Sequence, residues 1–197
     1  MEVLMRKLIA GVKISLDGKI EGTDGYADWV DAWSEEYGLI DEIDACLLGA
    51  GMYTGYEQYW SAILKNEAGK PLPMTGKEPT KEEFKWAKFA EQTPHYVLTN
   101  KINSALWTNT RLISGINEVI KLKQTNGKNI YLMGGAKIIQ SLINNDLVDE
   151  LRLIIYPIIV SKGKGLLENI VKSHKLKLDQ VEQLGNGRLK LTYNFVA

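Results

Sequence analysis

The segment from Tyr131 to Lys137, with the sequence YLMGGAK, is the feature that most restricts how this chain can fold. Residues 129–133 have the apolar composition of a buried strand, and a helical spacing of apolar residues follows at Ile138, Ile139, Leu142 and Ile143. Gly134 and Gly135 lie between them and permit close approaches that a side chain would prevent. The first turn of the helix exposes unpaired N–H groups that favour an anion. Two interpretations follow: a phosphate site that includes Lys137, or an ordinary turn with a solvated lysine.

The composition is that of a globular chain without a charge bias. Its 197 residues are enough for one well-filled core, so we predict a single domain over residues 1–197. The 24 basic side chains balance the 24 acidic ones, and the five Trp are not interleaved with a basic stripe. This balance argues against nucleic acid and against an anionic membrane as partners.

The rare residue types point to a reducing compartment and to a site without metal. Cys46 is the only cysteine and lies in an apolar run, where a buried, inert thiol is expected. His95 and His174 are too isolated in the sequence to form a metal cluster. The first residues lack the apolar core of a signal peptide, and no run reaches membrane-spanning length, so we predict a cytoplasmic protein.

The hydrophobic pattern predicts an α/β fold. Apolar alternation or short apolar runs predict strands at residues 8–14, 45–48, 96–98, 111–114, 129–133 and 149–156. Helical spacing predicts helices at residues 29–43, 82–91 and 116–124 and after each glycine-rich turn. Residues 175–183 and 188–196 flank Gly185-Asn186-Gly187 and predict a β-hairpin, with Leu189, Leu191, Tyr193 and Phe195 on its buried face. We therefore predict a mixed, mainly parallel sheet with helices on both faces and an antiparallel C-terminal hairpin.

A second glycine-rich turn, Gly49 to Gly55, also follows a predicted strand. It approximates the dinucleotide fingerprint of a Rossmann domain, but the acidic residue expected about 20 positions later would be Glu67, in a loop with no strand before it. Two strand-glycine-helix junctions at one sheet edge would suit a ligand with separated phosphates, such as a dinucleotide. Thr99, Asn100 and Lys101 follow another strand and add hydrogen-bond donors at that edge.

Several segments together resemble the dihydrofolate-reductase-like family that includes the reductase domain of bifunctional riboflavin-biosynthesis enzymes. The shared segments span nearly the whole chain and occur in the family's order. They are residues 15–20 (SLDGKI), Asp28-Trp29, residues 47–49 (LLG), residues 96–99 (YVLT), residues 131–136 (YLMGGA), residues 147–151 (LVDEL), Tyr156-Pro157 and residues 163–165 (GKG).

This resemblance implies a dihydrofolate-reductase-like fold and a reductase that uses NADPH, with NADH as an alternative, on a pterin-like or pyrimidine-like substrate. It implies that the pyrophosphate lies against Gly134, Gly135, Ala136 and Lys137; the second glycine-rich junction adds Gly49 and Gly51 as candidate cofactor-binding residues. It places Ile14 and the loop of residues 16–18 beside the nicotinamide and the substrate. It also places Thr99, Asn100 and Lys101 near the adenosine ribose, where a 2′-phosphate is read.

The chain departs from the family at one position that bears on the cofactor. Where the family commonly continues Leu-Leu-Gly with Arg-Arg-Thr-Tyr, this chain has Ala50, Gly51, Met52 and Tyr53. Two cationic side chains and a hydroxyl are therefore replaced, and the preference for NADPH over NADH is expected to be weak unless Lys101 carries it. A protein of this fold that binds NADPH without turnover is the alternative function, followed more distantly by a Rossmann dehydrogenase or an interaction domain.

Hydride transfer also requires a proton donor, and Asp17 and Asp28 are the candidates because both flank the loop beside the nicotinamide. Each has a structural alternative, since Asp17 can shape a turn with Gly18 and Asp28 can cap the helix predicted to begin at Trp29. Trp29 and Trp33 could stack on a flat substrate or pack in the core.

The apolar content of the C-terminal strands predicts a homodimer. Residues 150–156 and 188–196 carry more apolar side chains than one hairpin can bury, and related reductase domains pair through this region. A two-fold contact through these strands, or through residues 158–160 beside them, is the expected arrangement.

Overall fold

The computed structural model describes residues 5–31, 33, 35–66 and 70–196. The helices are α1 (Ala50–Lys65), α2 (Lys81–Gln92), α3 (Ile116–Lys123) and α4 (Ala136–Asn144). The strands are β1 (Leu8–Ser15), β2 (Lys19–Glu21), β3 (Ile43–Gly49), β4 (His95–Leu98), β5 (Thr110–Ile113), β6 (Asn129–Gly134), β7 (Glu150–Tyr156), β8 (Lys164–Gly165), β9 (Leu176–Gln183) and β10 (Leu189–Phe195). A 3₁₀ turn, Gly185–Gly187, joins the last two strands, so the predicted hairpin is confirmed.

Eight strands form one mixed sheet in the order β5-β4-β3-β6-β1-β7-β10-β9. The first six of these are mutually parallel, while β10 runs antiparallel to both β7 and β9. The carboxyl ends of all six parallel strands therefore meet at one edge of the sheet. This common edge brings together the loops that follow Ser15, Gly49, Leu98, Ile113, Gly134 and Tyr156.

Helices cover both faces of the sheet, as the pattern predicted. Helices α1 and α2 and the segment of residues 22–42 pack on one face, where Tyr53, Trp60 and Trp86 are almost fully buried. Helices α3 and α4 pack on the other face over the alternating apolar residues of β1, which are Leu8, Ala10, Val12 and Ile14.

The helix predicted for residues 29–43 is wrong, because none of the described residues from 29 to 42 is helical and Ile43 begins β3. Gly38 has a φ of 80°, a left-handed conformation that a continuous helix cannot contain. The apolar side chains are nevertheless buried, as Val30, Tyr37 and Leu39 show. The spacing therefore identified residues that pack on the sheet, but tertiary packing rather than helical propensity determined their backbone.

The predicted burial of the last strand is also wrong. Leu189 is 40% exposed and its face-mates Leu191, Tyr193 and Phe195 are only partly buried, whereas Thr192 on the opposite face is 5% exposed. The sheet extends two strands beyond β7, while α3 and α4 pack over its centre. An apolar face on β9 and β10 is therefore uncovered, with Leu176, Leu178 and Val181 exposed beside Leu189.

Three further features of the described part of the chain bear on function. No helix there has both the length and the apolar character needed to cross a membrane, and its His, Cys, Asp and Glu residues form no group of three that could hold a metal ion. Cys46 is fully buried in β3, and this burial raises the pKa of its thiol, as expected for an inert core cysteine.

Candidate functional site

The two glycine-rich junctions lie side by side at the carboxyl edge of the sheet. Strands β3 and β6 are parallel neighbours, and Leu48 is in register with Gly134. A Cβ atom added at Gly49 would lie 3.5 Å from Cγ2 of Ile138, in the first turn of α4. The helices that follow the two strands, α1 and α4, therefore begin next to each other.

The start of α4 is open and carries no negative charge. Gly135 is the N-cap, no side chain caps the helix, and the first turn holds no acidic residue. The N–H of Ile138 already donates to the carbonyl oxygen of Gly135 at 3.2 Å, so the N–H groups of Ala136 and Lys137 are the ones that lack intrahelical partners. Gly134 has a φ of 128° and the bond that joins it to Gly135 is a cis peptide bond. No atom lies within 4 Å of a Cβ built at Gly135, so the position faces open space. Ala136 is buried and Lys137 is exposed.

The start of α1 has the same character. Its N-cap, Gly49, provides no side-chain hydrogen bond, the first turn is free of acidic residues, and a Cβ added at Gly51 would again face open space. Met52 lies with its sulfur 3.5 Å from the position of a Cβ at Gly134, so it packs on the neighbouring junction. The arrangement can bind an anion through backbone N–H groups without the basic pair usual in the family.

The loop after β4 is held in a defined conformation at the same edge. The hydroxyl oxygen of Thr99 accepts the N–H groups of Lys101 and Ile102, at 2.9 and 3.2 Å. Asn100 and Lys101 are exposed. Neither Lys101 nor Lys137 forms an ion pair with another described residue, so both ammonium groups remain available to an anionic ligand.

Asp17 lies at this edge, but its contacts do not suit a proton donor. Its carboxylate accepts hydrogen bonds from the hydroxyl of Ser15 at 2.7 Å and from the N–H groups of Val160 and Ser161 at 3.0 and 2.8 Å. The Ser15 hydrogen bond, followed by the backbone N–H groups, lowers the pKa of Asp17 to about 2. An ionised Asp17 ties the loop after β1 to the loop after β7, which favours the turn-shaping alternative over the role of proton donor. Ile14, just before this loop, is buried on the face that carries α4.

The residues predicted to meet the substrate lie in the irregular segment that replaces the expected helix. Asp28 is exposed, and because Trp29 does not begin a helix, the alternative of a helix cap is wrong. Trp29 packs against the core, and its buried indole N–H has no hydrogen-bond partner among the described residues. Trp33 is 49% exposed and its backbone N–H donates to Glu83 at 3.2 Å.

A buried ionic network that was not predicted from the sequence lies next to this edge. Lys13, two residues before Ser15 in β1, has a side chain that is only 3% exposed and places its Nζ 2.6 Å from Glu36. Arg188 binds the same carboxylate at 2.9 and 3.2 Å and lies 3.3 Å from the hydroxyl of Tyr156. A lysine within the apolar strand β1 was the one signal for this network, since nothing in the sequence links residues 36 and 188 to it.

The network connects the backbone around Glu36 to β1 and, through Arg188 just before β10, to Tyr156 at the end of β7. Burial lowers the pKa of Lys13, while the adjacent Glu36 carboxylate opposes this shift. Burial alone would raise the pKa of Glu36, but hydrogen bonds from Lys13 and Arg188 lower it below its ordinary value. Glu36 is therefore ionised between two cations and fixes its segment over the end of β1.

Comparison with known proteins identifies relatives along most of the chain. A sequence model of the family described as RibD C-terminal domain matches residues 6–190. The uncharacterized protein YyaP of Bacillus subtilis (strain 168) is 32% identical over 197 residues, covering 96% of this chain and 95% of that protein.

Solved structures with the same fold include two of similar length. A putative riboflavin biosynthesis protein from Shewanella sp. PV-4 has a TM-score of 0.71 at 18% identity, with 98% of this chain and 100% of that chain covered. Dihydrofolate reductase from Enterococcus faecalis, complexed with NADP(H), has a TM-score of 0.60 at 14% identity, with 97% of each chain covered. The predicted dihydrofolate-reductase-like fold is confirmed.

Proposed function

Because the chain belongs to the RibD C-terminal domain family, we propose that it is an NAD(P)H-dependent reductase of a small heterocycle of pyrimidine or pterin type. The observation that carries the proposal is the pair of open helix starts at one sheet edge, α1 after Gly49 and α4 after Gly135. Two fold relatives support the class of reaction, a putative riboflavin biosynthesis protein and a dihydrofolate reductase complexed with NADP(H).

The residues at this edge suit a dinucleotide. Both helix starts lack acidic residues, and space is open at Gly51 and Gly135, where a side chain would obstruct a bound pyrophosphate. Lys137 is available at one end of this surface, and Lys101 follows the parallel strand β4 at the same edge. In this proposal Gly134, Gly135, Ala136 and Lys137 hold the pyrophosphate, and Thr99, Asn100 and Lys101 hold the adenosine ribose.

The protein contributes position and charge to the reaction. When bound, NADPH supplies the hydride, and the chain must orient the substrate and deliver a proton. Ile14 borders the nicotinamide site in this proposal, while Trp29 and Trp33 bind the flat substrate and Asp28 is the remaining carboxylate candidate for the proton donor. Asp17 keeps the loops after β1 and β7 together.

Turnover separates this proposal from the alternative of a protein that binds NADPH without catalysis. The replacement of the family's basic pair by Ala50 and Gly51 favours that alternative. The assay follows the loss of NADPH absorbance with a panel of dihydropterins, aminopyrimidines and flavin precursors. We expect oxidation of NADPH to depend on one of these substrates. Tight binding with no oxidation across the panel would support the alternative instead.

Lys101 is proposed to bind the 2′-phosphate, which NADPH carries and NADH lacks, and so to distinguish the two nucleotides. Replacing Lys101 with Ala removes an exposed ammonium group that has no ion-pair partner among the described residues. We expect NADPH affinity to fall about tenfold, or about 1.4 kcal/mol, while NADH affinity stays nearly constant. Calorimetric titration with each nucleotide gives the two changes.

Lys175→Ala is the matched control, because Lys175 is an exposed lysine that precedes β9 and does not lie at the carboxyl edge. It should leave both affinities unchanged. Equal losses for NADPH and NADH in Lys101→Ala would assign Lys101 to another part of the cofactor and contradict its role as the 2′-phosphate reader.

We also propose a homodimer that uses the uncovered apolar face of β9 and β10. Val181 is 55% exposed and Leu178 is 48% exposed on this face. An apolar sheet face that no helix covers is a suitable two-fold contact. Light scattering at micromolar concentration should give twice the chain mass of 22.1 kDa.

Val181→Glu places a charge at the centre of this proposed contact and should shift the protein to the monomer. Gln180→Glu is the control, since Gln180 is exposed on the opposite face of the same strand and should leave the dimer intact. A wild-type mass near 22.1 kDa, the mass of one chain, would reject the dimer.

A further inference from the structure

The guanidinium of Arg188 has two N–H groups without a partner in the described part of the chain. A guanidinium carries five N–H donors, one on Nε and two on each Nη. Nε donates to the carbonyl oxygen of Gly185 at 3.1 Å, and Nη1 faces the carboxylate of Glu36 and the hydroxyl oxygen of Tyr156. Nη2 has no hydrogen-bond partner among the described residues. One of the three nitrogens of this side chain is therefore unused within the fold.

The unused nitrogen is open to solvent and held in place. Among the described residues, the side-chain polar atoms that are both buried and without a partner are Nε1 of Trp29 and Nε2 of His174. Nη2 of Arg188 is not one of them, and the side chain that carries it is 14% exposed. The guanidinium carbon lies 5.4 Å from the centre of the Tyr156 ring, and the bonds of Nε and Nη1 fix its position. A ligand can therefore reach a donor that the fold has already oriented.

Arg188 lies beside the proposed substrate site. It directly precedes β10 and contacts Tyr156, the last residue of β7. Tyr156 is in register with Ser15 of β1, directly before the loop proposed to border the nicotinamide. Tyr156 also belongs to the buried cluster on the face that carries α1 and α2, and Trp29 packs against the same cluster. The free donor therefore belongs to the carboxyl edge, next to the segment proposed to bind the substrate.

The charges around Arg188 favour an uncharged acceptor on the ligand. Glu36 lies between Arg188 and Lys13, with its carboxylate 2.9 Å from Nη1 of Arg188. Glu83 and Asp31 also interact electrostatically with members of this network. Two cations therefore share their surroundings with three carboxylates, which would repel a phosphate or a carboxylate on the ligand. A carbonyl oxygen accepts N–H groups without adding a charge.

We propose that Arg188 is a substrate-binding residue whose Nη2 donates to a ring carbonyl of the heterocycle, so that the site selects oxo-substituted rings. The proposal rests on the proposed reductase function, because it assigns a contact within the same site. A guanidinium that is ionised and already held in place gives the carbonyl a charge-assisted hydrogen bond with little further ordering of the side chain. A ring with an amino group in place of the carbonyl would direct its own N–H groups at those of Arg188 and lose the contact.

Pterin and 2,4-diaminopteridine are the probes, because they share one bicyclic ring and the second carries an amino group where the first has its carbonyl. Each is titrated at neutral pH into the full-length protein with an excess of NADP⁺, which cannot donate a hydride, and binding is followed by the fluorescence of the probe. We expect pterin to bind about tenfold more tightly, a difference of about 1.4 kcal/mol. Equal affinities, a preference for the diamino ring, or no binding of either probe would overturn the proposal.

Arg188→Lys identifies the donor. It keeps a cation for Glu36 but removes Nη2, so the affinity for pterin should fall about tenfold and the affinity for the diamino ring should not change. Arg152→Lys is the matched control, because it makes the same change near the amino end of β7, where Arg152 binds Glu42 and Glu150. It should leave both affinities unchanged. A folded Arg188→Lys variant that still prefers pterin, or that loses both probes equally, would contradict the assignment to Arg188.

Calorimetric titration with NADPH separates this result from the proposed function. The affinity for NADPH should be the same in the wild type and in Arg188→Lys, since Arg188 lies at neither helix start. Loss of the ring preference with NADPH binding intact would count against Arg188 alone. A ring preference that depends on Arg188 in a protein that does not bind NADPH would count against the reductase and support the contact.

Discussion

Replacement of Gly135 with Val is expected to abolish the binding of NADPH and to leave the fold intact. The position faces open space at the start of α4 and has a φ of −74°, so the backbone accepts a side chain there. In the proposed complex the same space holds the pyrophosphate, and the added methyl groups would displace it. The expected loss of affinity is at least about a hundredfold, or about 2.8 kcal/mol. Calorimetric titration measures it.

Gly55→Val is the matched control for this substitution. Gly55 also faces open space, but it lies in the second turn of α1 and not at the exposed N–H groups of a helix start. Both variants should unfold cooperatively on heating, and only Gly135→Val should lose NADPH. If a folded Gly135→Val variant bound NADPH with undiminished affinity, the assignment of the glycine-pair junction to the cofactor site would be contradicted.

Replacement of Glu36 with Gln is expected to have the largest effect on stability. It removes the negative charge that lies between Lys13 and Arg188, and it leaves a lysine whose side chain is 3% exposed facing a second cation. Removing one partner of a buried ion pair lowers the free energy of unfolding by about 3–5 kcal/mol. Because Glu36 is partly exposed, we expect a smaller loss of about 2–3 kcal/mol. Urea unfolding monitored by tryptophan fluorescence gives the free energy of unfolding.

Two comparisons isolate the buried charge as the cause. The double variant Lys13→Met/Glu36→Gln removes the buried cation as well, so it should be more stable than Glu36→Gln alone. Glu182→Gln breaks a more exposed ion pair, in which the Glu182 carboxylate lies 2.6 Å from Nζ of Lys190. This change should lower the free energy of unfolding by at most about 1 kcal/mol. Similar losses for Glu36→Gln and Glu182→Gln would contradict the account of the network.

The sequence predicted the parts of the fold that depend on local pattern. The glycine-pair junction was recognisable because a short apolar run, two glycines and a helical spacing occur in succession from Asn129 to Ile143, and β6 and α4 begin and end close to the predicted positions. The resemblance to a known family then supplied the dihydrofolate-reductase-like fold, which periodicity alone does not contain.

The rest depended on long-range contacts that no local pattern reports. The spacing of Trp29, Trp33 and Ile40 is helical, but Gly38 and the packing of this segment against the sheet give an irregular backbone. Alternation in β10 identified two faces, but it could not show that α3 and α4 pack over the centre of the sheet.

The candidate site was predictable to the same extent. The two strand-glycine-helix junctions that form its backbone were predicted, because their glycines are recognisable in the sequence. The hydrogen bonds of Asp17 come from Val160 and Ser161, more than 140 residues away, and could not be predicted. For the same reason the network of Lys13, Glu36 and Arg188 became visible only in the folded chain.

A crystal structure of the protein grown with NADPH would locate the cofactor. We predict that the pyrophosphate lies at the carboxyl edge of the sheet, with its oxygens accepting hydrogen bonds from N–H groups in the first turns of α1 and α4. We also predict that Lys101 lies beside the 2′-phosphate. A cofactor bound at another part of the surface, or a carboxyl edge that stays empty at a saturating concentration of NADPH, would contradict this prediction.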